Sequence, residues 1–338
     1  MQTIIAAILV FGLLILAHEL GHYFIARLTG IRVLELAIGF GPKLFGWTRQ
    51  GIDYSLRVFP LGGFCRMMGE SPDEAKEPDS FPQKPLLSRM AVLLAGSTMN
   101  LVLAIVVFFV IFFFIVGVID DSAQVEYIVE DSPAEEAGIE VGDEIAAIDG
   151  KPIDTWEEVL STIHVKPDQE LQLEIKRNDS VLEFTVEAER EPETDRGLIG
   201  IGKVPQRYNF IPALQTSFEQ FGLIFAAFYY TVSGQVPVDV AGPVGIVSII
   251  GEAAQIGFVN VLMLTGLLSV NLGVINLLPI PALDGGRLLF LFIEAIRGRP
   301  IEPEKEGFIH FLGFALLIAL ILFITYQDVL RFLISPGE

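Results

Sequence analysis

The sequence predicts a multi-pass α-helical membrane protein: four transmembrane helices, a membrane-associated β-hairpin and one inserted soluble α+β domain. Three observations predict it. The 338 residues are 52% hydrophobic with a mean hydropathy of +0.56, above the range of ordinary soluble domains. The apolar residues gather into blocks at 4–26, 90–118, 258–282 and 307–333, each near the roughly 20 residues an α-helix needs to cross about 30 Å of hydrocarbon. Between the second and third blocks, residues 120–190 show strand-like alternation, short turns and one helical stretch, the pattern of a compact module. The chain therefore divides at 1–118, with two spans and the hairpin, 119–205, the soluble domain, and 206–338, with interfacial helices and the last two spans.

The first block lacks the basic start and small-residue cleavage site of a secretory signal, and it carries His18, Glu19 and His22 inside it. It is read as a retained span. In the loop that follows, Ile52, Tyr54, Leu56 and Val58 alternate with Asp53, Ser55 and Arg57, the period of a half-exposed strand. A second strand is expected at 64–68, after Pro60-Leu61-Gly62-Gly63, which closes a hairpin. This loop is rich in Lys and Arg (Arg27, Arg32, Lys43, Arg49, Arg57, Arg66, Lys76, Lys84, Arg89), whereas residues 119–209 are dominated by Asp and Glu. The positive-inside rule puts the first on the cytoplasmic side and the second outside. The aromatic run Phe108 to Phe114 in the second block reads as lipid-facing bulk.

Within the soluble domain, Ser132-Pro133 opens a short helix that leads to Gly142-Asp143 and then a strand. This run resembles a bacterial PDZ domain, which implies a peptide ligand added to a strand edge or a steric filter. Residues 212–232 mix Gln215, Glu219 and Gln220 with aromatics and are expected to lie along the outer interface. The third block then runs inward, in keeping with Arg287, Arg297, Arg299 and Lys305 after it. Four spans with both termini outside are expected.

The formal net charge of −20 excludes a nucleic-acid partner, because phosphate backbones are bound by clustered Lys and Arg. The single cysteine, Cys65, excludes an intrachain disulfide framework and reads as an unreactive thiol.

The chemistry concentrates in His18-Glu19-Leu20-Gly21-His22. On a helix, i and i+4 put both imidazoles on one face, where they can share a zinc ion, with Glu19 beside the metal-bound water as general base. An ionisable group inside a bilayer costs about 3 kcal/mol even on lenient scales, so three on adjacent turns of one apolar helix are hard to explain as packing. A catalytic zinc takes three protein ligands and leaves a fourth position open. Asp284 is the best third donor: it follows Pro279 and Pro281, which break the helix, and precedes Gly285 and Gly286, which allow close backbone approach. The bland alternative is a cap for the helix that follows. Glu252, Asp239 and Glu294 are weaker candidates. His164 and His310 read as solvent or packing residues, and Met67 and Met68 as fillers.

The pair HELGH and NLLPIPALDGG, with GFGP (39–42), PLGGF (60–64), RMAVLLAG followed by Asn100, and GPVGI (242–246), resembles the bacterial site-2 protease family across nearly the whole chain. The resemblance implies an intramembrane zinc metalloprotease of the bacterial inner membrane that cuts transmembrane segments of single-span proteins, such as anti-sigma factors or signal-peptide remnants. It implies His18, His22 and Asp284 as zinc ligands and Glu19 as the base. Asn276, and with it Asn271, resembles asparagines that hold substrate or polarise its carbonyl. The chain departs from the family at Ala95-Gly96-Ser97, where AGP is common, and in carrying one PDZ-like module. A transmembrane substrate must unwind before water can reach its amides, so Tyr54, Ser55, Leu56 and Arg57 are expected to bind it as an added strand. Two other readings are a membrane-anchored metallopeptidase acting on soluble peptides and a non-catalytic scaffold recruiting partners through the PDZ-like module. The first predicts a metal motif outside the bilayer, and the second has no use for Glu19.

Overall fold

The computed structural model describes residues 2–71, 73–178, 180–235 and 241–334. Asp239 lies outside the described residues. The chain forms two compact units, one of residues 1–111 with 215–338 and one of residues 112–214.

In the first unit, helix α1 (Gln2–Leu28) is followed by strands β1 (Val33–Arg49) and β2 (Ile52–Met67) and by helix α2 (Leu86–Val110), which runs on into a π-helical turn at Ile111–Ile115. Small residues let the helices approach closely, as membrane interfaces favour. A Cβ at Gly21 of α1 would stand 2.2 Å from the Ala95 carbonyl oxygen of α2.

The expected hairpin has a different partner. β2 continues without a break from Ile52 to Met67 and pairs with β1, not with a strand of its own C-terminal half. The register shows why. Residues 53–56 pair on one side with 45–48 and on the other with 35–38, while 35–38 also pair with 63–66. Two bent strands thus fold into four legs, and the leg holding Tyr54, Ser55 and Leu56 lies inside, its backbone engaged on both sides. β1 escaped sequence reading because its Gly39-Phe40-Gly41-Pro42 stretch interrupts the alternation that marks a strand.

The second unit contains β3 (Tyr127–Ile128), α3 (Pro133–Glu136), β4 (Glu144–Ile148), β5 (Lys151–Pro152), α4 (Trp156–His164), β6 (Glu170–Arg177) and β7 (Ser180–Glu187). Three short strands close it: β8 (Glu189–Arg190), β9 (Gly197–Leu198) and β10 (Ile201–Gly202). The main sheet has the order β5-β4-β6-β7, and β3 pairs antiparallel with β10. Both helices start where the sequence supplies a cap. Ser132 accepts a hydrogen bond from the Glu135 amide with Pro133 in the first turn, and Thr155 and Glu158 form a reciprocal capping box. Val125, Ala134, Ile145, Ile148, Val159, Leu171 and Ile175 are fully buried in one core.

The chain continues with helices α5 (Phe210–Val232), α6 (Pro243–Ile256), α7 (Phe258–Leu277), α8 (Asp284–Arg297) and α9 (Pro303–Ile334). Among the described residues, four helices are long and apolar enough to cross a membrane: α1, α2 with its π-helical turn, α7 and most of α9. The protein is an integral membrane protein. The third span stops at Leu277 rather than 282, because the backbone turns extended at Leu278 ahead of Pro279 and Pro281. Arg89 of α2 and Glu294 of α8 are joined by two hydrogen bonds of 3.0 and 2.5 Å.

Candidate metal centre

α1 supplies the first half of the site. His18 and His22 sit one turn apart with their Nε2 atoms 3.1 Å from each other. α2 makes room for them at Gly96, where a Cβ would lie 2.5 Å from His22 Nε2 and 2.8 Å from His18 Cε1. That residue belongs to the stretch that departs from the family's AGP, and the departure leaves the glycine in place.

The second half comes from the loop between α7 and α8. Gly285 and Gly286 are required there: a Cβ on the first would meet the Leu278 carbonyl oxygen at 2.2 Å and on the second the Ile280 carbonyl oxygen at 2.4 Å. Ala282 is held at φ +81, the left-handed region that an alanine seldom adopts. His310 of α9 stabilises that conformation by accepting a hydrogen bond from the Ala282 amide at 2.9 Å, so the histidine expected to be a packing residue has a definite task. The folded loop presents Asp284, whose Oδ2 lies 3.1 Å from His18 Nε2 and 3.2 Å from His22 Nε2. Asp284 is the first residue of α8 and the N-cap position belongs to Leu283, so the carboxylate is not the cap.

Residues 266 positions apart in the chain thus meet at one point, and His18, His22 and Asp284 are the one group of potential metal ligands among the described residues. The chemistry of the donors fits a cation. His22 Nδ1 is 2.8 Å from the Val92 carbonyl oxygen, which can only accept, so Nδ1 carries the proton and the neutral ring presents the Nε2 lone pair to Asp284. Asp284 Oδ2 is buried and has no hydrogen-bond donor of its own. Three acceptors at mutual distances of 3.1 to 3.2 Å approach the roughly 3.3 Å separation of tetrahedral ligands around zinc.

Glu19 is next to His18 in α1, and a Cβ at Gly63 would stand 3.4 Å from its Cγ. The last leg of β2 therefore lies alongside the carboxylate. Asn276 stands in the last turn of α7 and Asn271 five residues earlier, and neither is hydrogen-bonded to the three clustered side chains.

The remaining expected residues are engaged elsewhere. The Tyr54 and Tyr23 hydroxyls share a hydrogen bond of 2.8 Å, and Tyr54 stacks on Trp47. Ser55 and Arg57 both donate to Glu35 Oε1, at 2.8 and 2.7 Å. Burial pushes the Glu35 carboxyl up, but Arg57, Ser55 and Lys43 outweigh it and hold it below the ordinary range. Leu56 is 43% exposed. Of the weaker ligand candidates, Glu294 is committed to Arg89, and Glu252 accepts a hydrogen bond from Ser248. Sequence reading missed Glu35 and Val92, since neither belongs to a local pattern.

A family model described as peptidase family M50 matches residues 6–320. A putative zinc metalloprotease of Clostridium acetobutylicum is 35% identical over 335 residues, covering 97% of each chain. The zinc metalloprotease RasP of Oceanobacillus iheyensis is 34% identical over 422 aligned positions, covering 98% of this chain and 99% of its own. The regulator of sigma-W protease RasP of Bacillus subtilis is 32% identical, covering 98% of this chain and 99% of its own. Among solved structures, the PDZ domain of an SdrC-like protein from Listeria monocytogenes is 26% identical over 26% of this chain and 94% of its own, with a TM-score of 0.23.

Proposed function

The chain belongs to peptidase family M50, and from that membership we propose a division of labour among its residues. The protein is an intramembrane zinc metalloprotease. His18, His22 and Asp284 hold the zinc, and Glu19 is the general base. The observation that carries this assignment is the convergence of three potential ligand atoms, two from α1 and one from the α7–α8 loop, at 3.1 to 3.2 Å from one another.

Zinc held by His18, His22 and Asp284 would supply a Lewis acid that polarises the scissile carbonyl and lowers the pKa of water toward neutrality. Glu19 takes the proton of the attacking water as the C–O bond forms, and delivers it to the departing amine as the tetrahedral oxyanion collapses and the peptide C–N bond breaks. The Asn276 amide donates a hydrogen bond to the oxyanion as it develops, and Asn271 helps to hold the substrate.

The substrates are transmembrane segments of single-span proteins. The Bacillus subtilis relative is named as a regulator of sigma-W, which fits an anti-sigma factor as one such substrate. The helical segment unwinds and adds as a strand to the outer edge of residues 62–66, the leg of β2 beside Glu19, while Tyr54 to Arg57 support that leg from inside the sheet. The enzyme lies in the bacterial cytoplasmic membrane, crossing it four times, with both termini and the PDZ-like unit outside. That unit binds or screens the extracytoplasmic part of the substrate.

A Glu19→Gln variant co-expressed with a single-span substrate tests the assignment. Cleavage falls roughly 10²–10⁴-fold while the protein accumulates with its zinc. Full cleavage by that variant would remove Glu19 from the mechanism.

A further inference from the structure

Both imidazoles of α1 are gripped from behind by α2. For His22 the partner of Nδ1 is the Val92 carbonyl. For His18 it is the side chain of Asn100, whose Nδ2 lies 3.3 Å from Nδ1. Asn100 is fully buried, and its backbone carbonyl accepts the Ser269 hydroxyl of α7 at 2.7 Å, which anchors this turn of α2.

As placed, the amide leaves a conflict. His18 can offer Nε2 to the same cation as His22 only if its Nδ1 carries the proton, and an N–H then faces the amide N–H₂. At the same time Asn100 Oδ1 is buried with no partner, which is costly for a carboxamide. The oxygen and nitrogen of a carboxamide have nearly the same shape, so their assignment follows from the hydrogen bonds they make. Turning the group over removes both faults together: Oδ1 accepts from His18 Nδ1–H, and no donor faces a donor.

We propose that Asn100 is a positioning residue of the metal centre, whose amide oxygen accepts the Nδ1 proton of His18 and so fixes the ring with Nε2 free for zinc. Metal-bound histidines elsewhere gain orientation and basicity from such an acceptor, and losing it weakens metal binding roughly 10–100-fold. The proposal rests on the zinc site described above and adds a residue that touches neither metal nor substrate.

The full chain, purified in detergent and stripped of metal, is titrated with zinc against a chromophoric chelator. Asn100→Leu, which keeps the branched outline of the side chain and removes the acceptor, binds zinc roughly 10–100-fold more weakly than the parent. Asn100→Asp, whose ionised carboxylate can only accept, keeps the parent's affinity within a few-fold. If Asn100 merely joined α2 to α7, both variants would retain the parent's affinity. Parent-like binding by Asn100→Leu, or a loss in Asn100→Asp as large as in Asn100→Leu, overturns the proposal. Should Asn100→Leu fail to accumulate, Asn100→Val, which also lacks the acceptor, is measured in its place with the same expected loss, and parent-like binding by it overturns the proposal. A parent chain that takes up no zinc in this titration would sink the metal reading itself.

Discussion

Two carboxylates in this chain, Asp143 and Asp284, are both withdrawn from water and are completed in opposite ways. Asp143 of the soluble unit is 1% exposed and meets donors on every side: Arg177 Nε and Nη2 at 2.7 and 2.8 Å and the Glu140 amide at 2.9 Å. Asp284 Oδ2 meets two imidazole nitrogens, at 3.1 and 3.2 Å, which offer lone pairs when both rings are neutral with the proton on Nδ1. The first arrangement is finished by the chain itself and serves stability. The second is finished only by a cation, and an acceptor cluster left open in this way marks a functional site rather than a structural one.

The comparison can be broken most sharply at Asp284. Asp284→Ala removes the third ligand, and zinc content measured on the purified protein falls to background together with cleavage, while the soluble unit is untouched. If zinc stayed at the parental level, the carboxylate would have no part in binding it.

The converse change is smaller and lands elsewhere. Arg177→Ala leaves Asp143 buried without its cation and destabilises the soluble unit, read as faster amide exchange across β4 and β6. Zinc content does not change. The same pair gives the unit a pH dependence with a definite sign. Burial pushes the Asp143 carboxyl up, but Arg177 and the Glu140 amide prevail and hold it below its ordinary value. A lowered folded-state value means that the stabilisation is complete above about pH 4, the unfolded value, and is lost as pH falls through the folded one. Amide protection in β4 should therefore weaken below pH 4, and in Asp143→Asn that acid dependence should be reduced.

Glu35 is an intermediate case, a carboxylate 14% exposed and shared by Arg57, Ser55 and Lys43. Ser55→Ala removes one of the two hydrogen-bond donors to Glu35 and lowers stability by about 1 kcal/mol, read in thermal unfolding, with zinc content unchanged. A selective loss of cleavage without loss of stability would instead return Ser55 to the substrate path.

What could be read from the sequence was local or compositional. His18 and His22 declare themselves because four residues are one helical turn, and Asp284 because two prolines and two glycines around it cannot continue a helix. The spans follow from length and hydropathy, and the soluble unit from its alternation and the helix start at Ser132-Pro133. What could not be read depends on tertiary register. Nothing near Val92, Gly96 or Asn100 announces that α2 would stand behind the imidazoles, and a lone His310 looks like packing until the strained Ala282 amide is seen against it. The hairpin's period was legible but its pairing was not, because residues 53–56 gain partners on both sides from a strand broken by Gly39 and Gly41.

Zinc-edge X-ray absorption on the purified protein tests the central assignment most directly. The account predicts imidazole and oxygen scatterers alone, at about 2.0–2.2 Å, because Cys65, though close to Glu19, stands outside the ligand set. A sulfur scatterer near 2.3 Å, or a first shell without imidazole, would contradict it.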